Sequence, residues 1–217
     1  MLAAATTAAR GERVAYVDTS NAFSPHRAAE MMRGAPGRVR PVEELLDLIT
    51  VVRAYTAHSA LAALDALLLQ AGAGGAPRLV ILDSIGAVVS PVLGGGAAHS
   101  QGHALLVAIA GALKELGERL GAGVVVTNHL VGGGGGDGGG GGRQERRAAL
   151  GESWAGQAHV RVQLAASPCE GAPCTATLRA STSAAPGAAV RYWLTAAGPA
   201  GRPEGEAAQQ PGRAPPG

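Results

Sequence analysis

Apolar residues along this chain fall into two rhythms that alternate. Short unbroken runs, such as Leu79-Val-Ile-Leu82 and Val124-Val-Val126, have no polar position between them, which predicts strands covered on both faces, as in a parallel sheet. Longer stretches carry large aliphatics at helical spacing: Leu61, Leu64, Leu67 and Leu68 in one, and Leu105, Leu106, Ile109, Leu113, Leu116 and Leu120 in another. The pattern predicts helices over 2–9, 25–33, 41–47, a stretch ending at Gln70, and 103–121. Strands are expected over 13–18, 49–52, 79–83 and 124–126. Ser24 followed by Pro25 marks one helix start, since serine suits the N-cap and proline the first helical position. Past Val89, Pro91 and the glycines predict no further regular structure until the helix at His103.

Two of the apolar runs end in a carboxylate, Asp18 and Asp83, and a third ends in Asn128 and His129. Strand, crossover helix and strand form a βαβ unit, and open α/β sheets bind ligands at the carboxyl ends of their strands. The rhythm changes after Trp154. Residues 159–164 alternate as a strand, 175–179 pair with them as a hairpin, and 190–194 form a last strand. Beyond Gly198 the composition offers nothing to bury, so a disordered tail over 198–217 is expected after one domain over 1–197. Within that domain the glycine tract, 131–147, is expected to be a mobile loop, because glycine fixes little backbone and packs nothing.

Composition changes this picture only locally. The formal net charge of +2 over 217 residues does not by itself indicate a nucleic-acid partner. Of the 18 basic residues only Lys114 is a lysine, and it lies inside an apolar-striped helix. Two cysteines, Cys169 and Cys174, make no disulfide framework, fit a reducing compartment, and read as loop thiols. No apolar run approaches membrane-spanning length.

Six segments, in order and in register, resemble the RecA/Rad recombinase superfamily. They are Tyr16-Val-Asp-Thr19, Leu79-Val-Ile-Leu-Asp-Ser84, Ser90-Pro-Val-Leu-Gly-Gly95, Leu113-Lys-Glu-Leu116, Val124-Val-Val-Thr-Asn-His129 and Ala149-Leu-Gly-Glu-Ser-Trp154. Among these, Ala87 to Gly95, Thr127-Asn-His129 and Leu150-Gly-Glu-Ser-Trp154 are most similar to the D-type paralogues of eukaryotes. The resemblance implies a RecA-like ATPase core, a mostly parallel central sheet flanked by helices with a C-terminal antiparallel hairpin. It implies ATP and Mg2+ as cofactors, with Asp83 holding the metal through water, and Ser84, Asp18 and Asn128 at the nucleotide. Asn128 and His129 match the pair that senses the γ-phosphate. Gly94 and Gly95 match a first DNA-facing loop, and the glycine tract with Arg143, Arg146 and Arg147 a second, where arginine suits a single-strand phosphate track.

Two departures bear on activity. The phosphate loop, Gly-x-x-x-x-Gly-Lys-Ser/Thr, is absent, and residues 2–9 are expected to be the tail of the helix that follows it in the family. The family's strand before that loop lies beside the 124–126 strand, so without it unpaired backbone groups and marginal stability are expected. Ser20 also stands where catalytic members place the glutamate that orients the attacking water, leaving enzymatic hydrolysis an open question. The expected function is assistance to strand-exchange filaments in homologous recombination and DNA repair. The implied partners are single-stranded DNA and other paralogues in a nuclear hetero-oligomer. A DNA-dependent ATPase whose phosphate loop lies outside this sequence, and a nucleotide-free protein–protein adaptor, are the alternatives.

Overall fold

A computed structural model describes residues 1–70, 75–93, 97–131, 147–167, 169, 171–195 and 197–201. The chain divides into two compact units, Met1–Ala158 and His159–Gly217.

The first unit is built on four parallel strands, β1 (Val14–Asp18), β2 (Ile49–Arg53), β3 (Leu79–Asp83) and β4 (Gly123–Val126), in the order β2-β1-β3-β4. Successive side chains point to opposite faces, and the core follows that alternation. Val14, Tyr16, Leu79 and Ile81 pack on the face covered by α1 (Leu2–Ala9), α2 (Pro25–Arg33) and α3 (Val42–Leu46). Ala15, Val17, Val80 and Leu82 pack on the other face, under α4 (Ala57–Leu69), α5 (Ile85–Val89) and α6 (Ala97–Leu120). Both faces of β1 and β3 are therefore dry, which is why their sequences are apolar without alternation. Each valine, leucine or isoleucine among them contributes about 1.5–3 kcal/mol on leaving water.

The helix ends are set by local chemistry. Ser24 accepts the Arg27 amide ahead of Pro25, as the sequence predicts. At α4, Thr56 and Ser59 form a reciprocal capping box. Two expectations are corrected. Past Val89 the chain makes one more 3-10 turn, Ser90–Val92, since Pro91 sits early enough in the turn to need no amide donor. The following helix begins at Ala97, not His103. Gly102 lies within it because a Cβ there would come within 2.1 Å of the Val92 carbonyl oxygen, so only glycine admits this approach.

On the side away from β3, β4 has no strand neighbour among the described residues, and Gly123 and Val125 are exposed. A two-stranded antiparallel ladder follows, β5 (Leu130–Val131) with β6 (Arg147–Ala148), pairing Val131 with Arg147. The ends of the expected mobile loop are thus fixed, and 132–146 lie outside the described residues. A short helix, α7 (Gly151–Ala155), ends the unit.

The second unit is an antiparallel sheet in the order β10-β9-β8-β7, from β7 (Arg161–Ala165), β8 (Cys174–Ala180), β9 (Ala189–Thr195) and β10 (Gly198–Ala200). The predicted hairpin is its β7–β8 pair. Residues 198–200, expected to begin a disordered tail, instead add an edge strand to β9, with Gly198 buried. The tail from 202 onward lies outside the described residues.

Candidate functional site

The carboxyl edge of the first sheet gathers a polar network. Parallel register sets Asp18 directly beside Asp83 at the ends of β1 and β3. The two carboxylates have different neighbours. Asp18 is buried, and its oxygens accept the amides of Ser20, Ala22 and Phe23 at 3.0–3.1 Å, so it shapes the loop into α2. Asp83 is half-buried; its Oδ1 accepts the Thr127 hydroxyl at 2.5 Å and its Oδ2 accepts the Tyr16 hydroxyl. Burial, and then the hydrogen bond and charge of Asp83, push the Tyr16 hydroxyl well above the usual tyrosine range, so Tyr16 stays a donor.

Ser84 follows through a cis peptide bond and is buried. Its backbone amide donates to Thr19 Oγ1 at 2.6 Å, and that hydroxyl donates to the Ser84 carbonyl at 2.8 Å. Its own hydroxyl lies 2.8 Å from His129 Nε2. Gly86 makes room for this pair: a Cβ there would lie 2.7 Å from His129 Cδ2 and 3.0 Å from Asn128 Oδ1. Asn128 turns the other way, donating from Nδ2 to the Ala149 carbonyl at 2.7 Å, while the Ala149 amide donates to the His129 carbonyl at 2.8 Å.

The structure thus brings together Asp83, Ser84 and His129 among the residues expected from sequence. Asp18 and Asn128 stand beside them but hold loops. Gly94, Gly95, Arg143 and Arg146 lie outside the described residues, and Arg147 is placed by its backbone in β6. Tyr16, Thr19, Thr127 and Gly86 carry the network too, and no role was legible for them in the sequence. Ser20 is exposed and offers a hydroxyl rather than a carboxylate. Lys114 donates to Gln157 at 2.7 Å, away from this network.

Each Asp83 oxygen keeps a second lone pair, so one carboxylate flanked by two hydroxyls suits a hydrated Mg2+ held through water. Among the described residues no group of three His, Cys, Asp or Glu gathers as a direct metal cage. The start of α1 also lies in electrostatic reach: burial lowers the affinity of the Met1 amine for its proton, and the Asp83 charge opposes that.

A parallel sheet between two helical layers, with this polar edge, defines a RecA-type α/β protein. The crystal structure of the RadB recombinase superposes with a TM-score of 0.70 at 20% identity, over 93% of this chain and 84% of that one. A family model described as Rad51 matches residues 2–192, so the chain belongs to the Rad51 family. It is 32% identical over 158 residues to the DNA repair protein RAD51 homolog 4 of Mus musculus, covering 70% of this chain and 45% of that protein. The homologue of the same name from Bos taurus is 29% identical over 149 residues, covering 66% and 43%. The chain spans less than half the length of these relatives. No helix among the described residues is long and apolar enough to cross a membrane.

Proposed function

We propose that this protein acts in homologous recombination as a Rad51 paralogue, binding single-stranded DNA and partner paralogues in the nucleus and assisting strand-exchange filaments. The observation that carries the reading is the continuous path from Asp83 through Ser84 and His129 into the β5–β6 ladder, from which the arginine-flanked glycine tract springs. In this reading Asp83, steadied by Tyr16 and Thr127, holds a nucleotide-bound Mg2+ through water. When bound, ATP supplies the phosphate charge that His129 senses across Ser84. Arg143, Arg146 and Arg147 then contact the DNA backbone without reading sequence. Ser20, in place of a carboxylate, offers no base to orient water, so in this reading the chain is a non-catalytic or weakly catalytic member of its assembly.

The test is binding of a fluorescent oligo-dT to the full chain across a salt series. Each phosphate contact on a single strand adds about 0.7 to the slope of log affinity against log salt, so replacing all three arginines by alanine should lower the slope by about 2. An unchanged slope would remove the DNA-binding role from this tract.

A further inference from the structure

A second basic surface lies at the opposite edge of the first sheet. α2 leaves the carboxyl edge after Asp18 and ends at Arg33, and the connection onward to α3 is Gly34-Ala-Pro-Gly-Arg38-Val-Arg40-Pro41. That connection is anchored to the rest of the unit: the Val39 amide donates to the Ala9 carbonyl at 3.1 Å, and the Ala35 amide to Met32 at 3.1 Å. α3 then delivers the chain to Ile49, which pairs with Val14 at the start of β1. The connection therefore sits at the amino edge, a full strand length from Asp83.

Arg33, Arg38 and Arg40 line one concave surface there, floored by Val42 and edged by Val39 and Glu43. All three arginines are exposed, and among the described residues none forms an ion pair, unlike Arg27 and Arg119. Glu30, one turn before Arg33, is bonded to Arg27 at 2.7 Å and feels the Arg33 charge only at longer range. Arg10, also exposed, stands next to the Ala9 anchor. Glu43 sets one negative charge against three positive ones, so this anchored surface keeps a net positive charge that an anionic ligand relieves. Val39 and Pro41 are the exposed apolar residues of this surface, too little to seat a peptide, while guanidinium groups fit phosphate oxygens with two hydrogen bonds each.

We propose that Arg33, Arg38 and Arg40 form a second phosphate-backbone site for nucleic acid, on the sheet edge away from the Asp83 network. The ligand class rests on the DNA-binding reading above, but the site is independent of the glycine tract. Two strands, or two stretches of one strand, can then be held at opposite edges of the same unit.

The experiment places Arg33→Ala, Arg38→Ala and Arg40→Ala together in the full chain, with and without the Arg143, Arg146 and Arg147 alanine set. A matched triple lysine variant at 33, 38 and 40 keeps the charge. Oligo-dT and a random-sequence duplex of equal charge are titrated over a salt series, and circular dichroism checks the fold. The expected result is weaker binding, by roughly tenfold at moderate salt, a slope lower by about 2 for the single strand, and retention in the lysine variant. The duplex arm shows which form of the backbone this site prefers. A slope that is unchanged by the cluster variant but lowered by the tract variant overturns this inference alone. Absence of any binding by the wild-type chain overturns both readings. Binding of a poly-glutamate peptide at the cluster that oligo-dT fails to displace also overturns it, making the surface a protein contact.

Discussion

β3 and β7 are both five-residue strands, with four large aliphatics in a row in the first and two alternating with polar positions in the second, and these side chains have opposite fates. In β3, Leu79 to Leu82 are buried on both faces, with Val80 and Leu82 at 0% exposure. In β7, Val162 and Leu164 remain 55% and 60% exposed, and in β9 Val190 and Leu194 remain 61% and 71% exposed. Propensity is therefore not what separates them. β3 has helices above and below it, while the sheet of the second unit has no helix of its own among the described residues. An apolar run specifies a strand, but only its neighbours turn that strand into a core.

The contrast can be broken most forcefully at Leu82. Leu82→Ala leaves a cavity between β3 and the α4–α6 layer, and should lower stability by about 3 kcal/mol in urea unfolding followed by circular dichroism. A loss below about 1 kcal/mol would mean that the first unit is as loosely covered as the second. A smaller effect is expected at Tyr16, and it depends on pH. Its hydroxyl titrates higher in the folded chain than its ordinary 10.0, so the neutral form is favoured by folding. That contribution is complete below about pH 10 and fades as the pH rises further, because the unfolded chain ionises first. Tyr16→Phe should flatten this alkaline decline in thermal melts while lowering stability at neutral pH by about 1 kcal/mol; an alkaline decline of the same size in the variant would place its origin elsewhere. The smallest effect belongs to Leu164→Ala, expected within about 0.5 kcal/mol of the parent. A cost there matching that of Leu82→Ala would show that the face of β7 is covered in solution, and the comparison would collapse.

The elements easiest to read from sequence were those whose burial is complete. β1 and β3, and the helix capped by Ser24, have patterns that follow directly from being covered or capped. The start of α6 was hidden because its first turns carry no large aliphatic before Leu105, and Gly102 looks like a breaker until its approach to Val92 is seen. The β5–β6 ladder was hidden because two residues on each side of a glycine tract carry no periodicity to detect. At the site, Asp83 and His129 stand at strand ends visible in the apolar pattern, while the expected roles of Ser84 and His129 come from the family resemblance. The roles of Tyr16 and Thr127 could not be found in either way, since a tyrosine inside an apolar strand reads as packing and a threonine just past a strand end reads as part of the turn. Only the register between β1, β3 and β4 brings their hydroxyls to one carboxylate.

The paired segments around the glycine tract also bear on how the gene can vary. Asn128 and His129 are bonded to Ala149, and Leu130 and Val131 are laddered to Ala148 and Arg147, so both ends of the tract are tied at one place. Runs of glycine codons gain and lose repeats readily. Closing a longer loop across a fixed clasp costs only about 0.6 kcal/mol for each doubling of its length. The length of the tract can thus change while the sheet, the Asp83 network and the β5–β6 clasp keep their places.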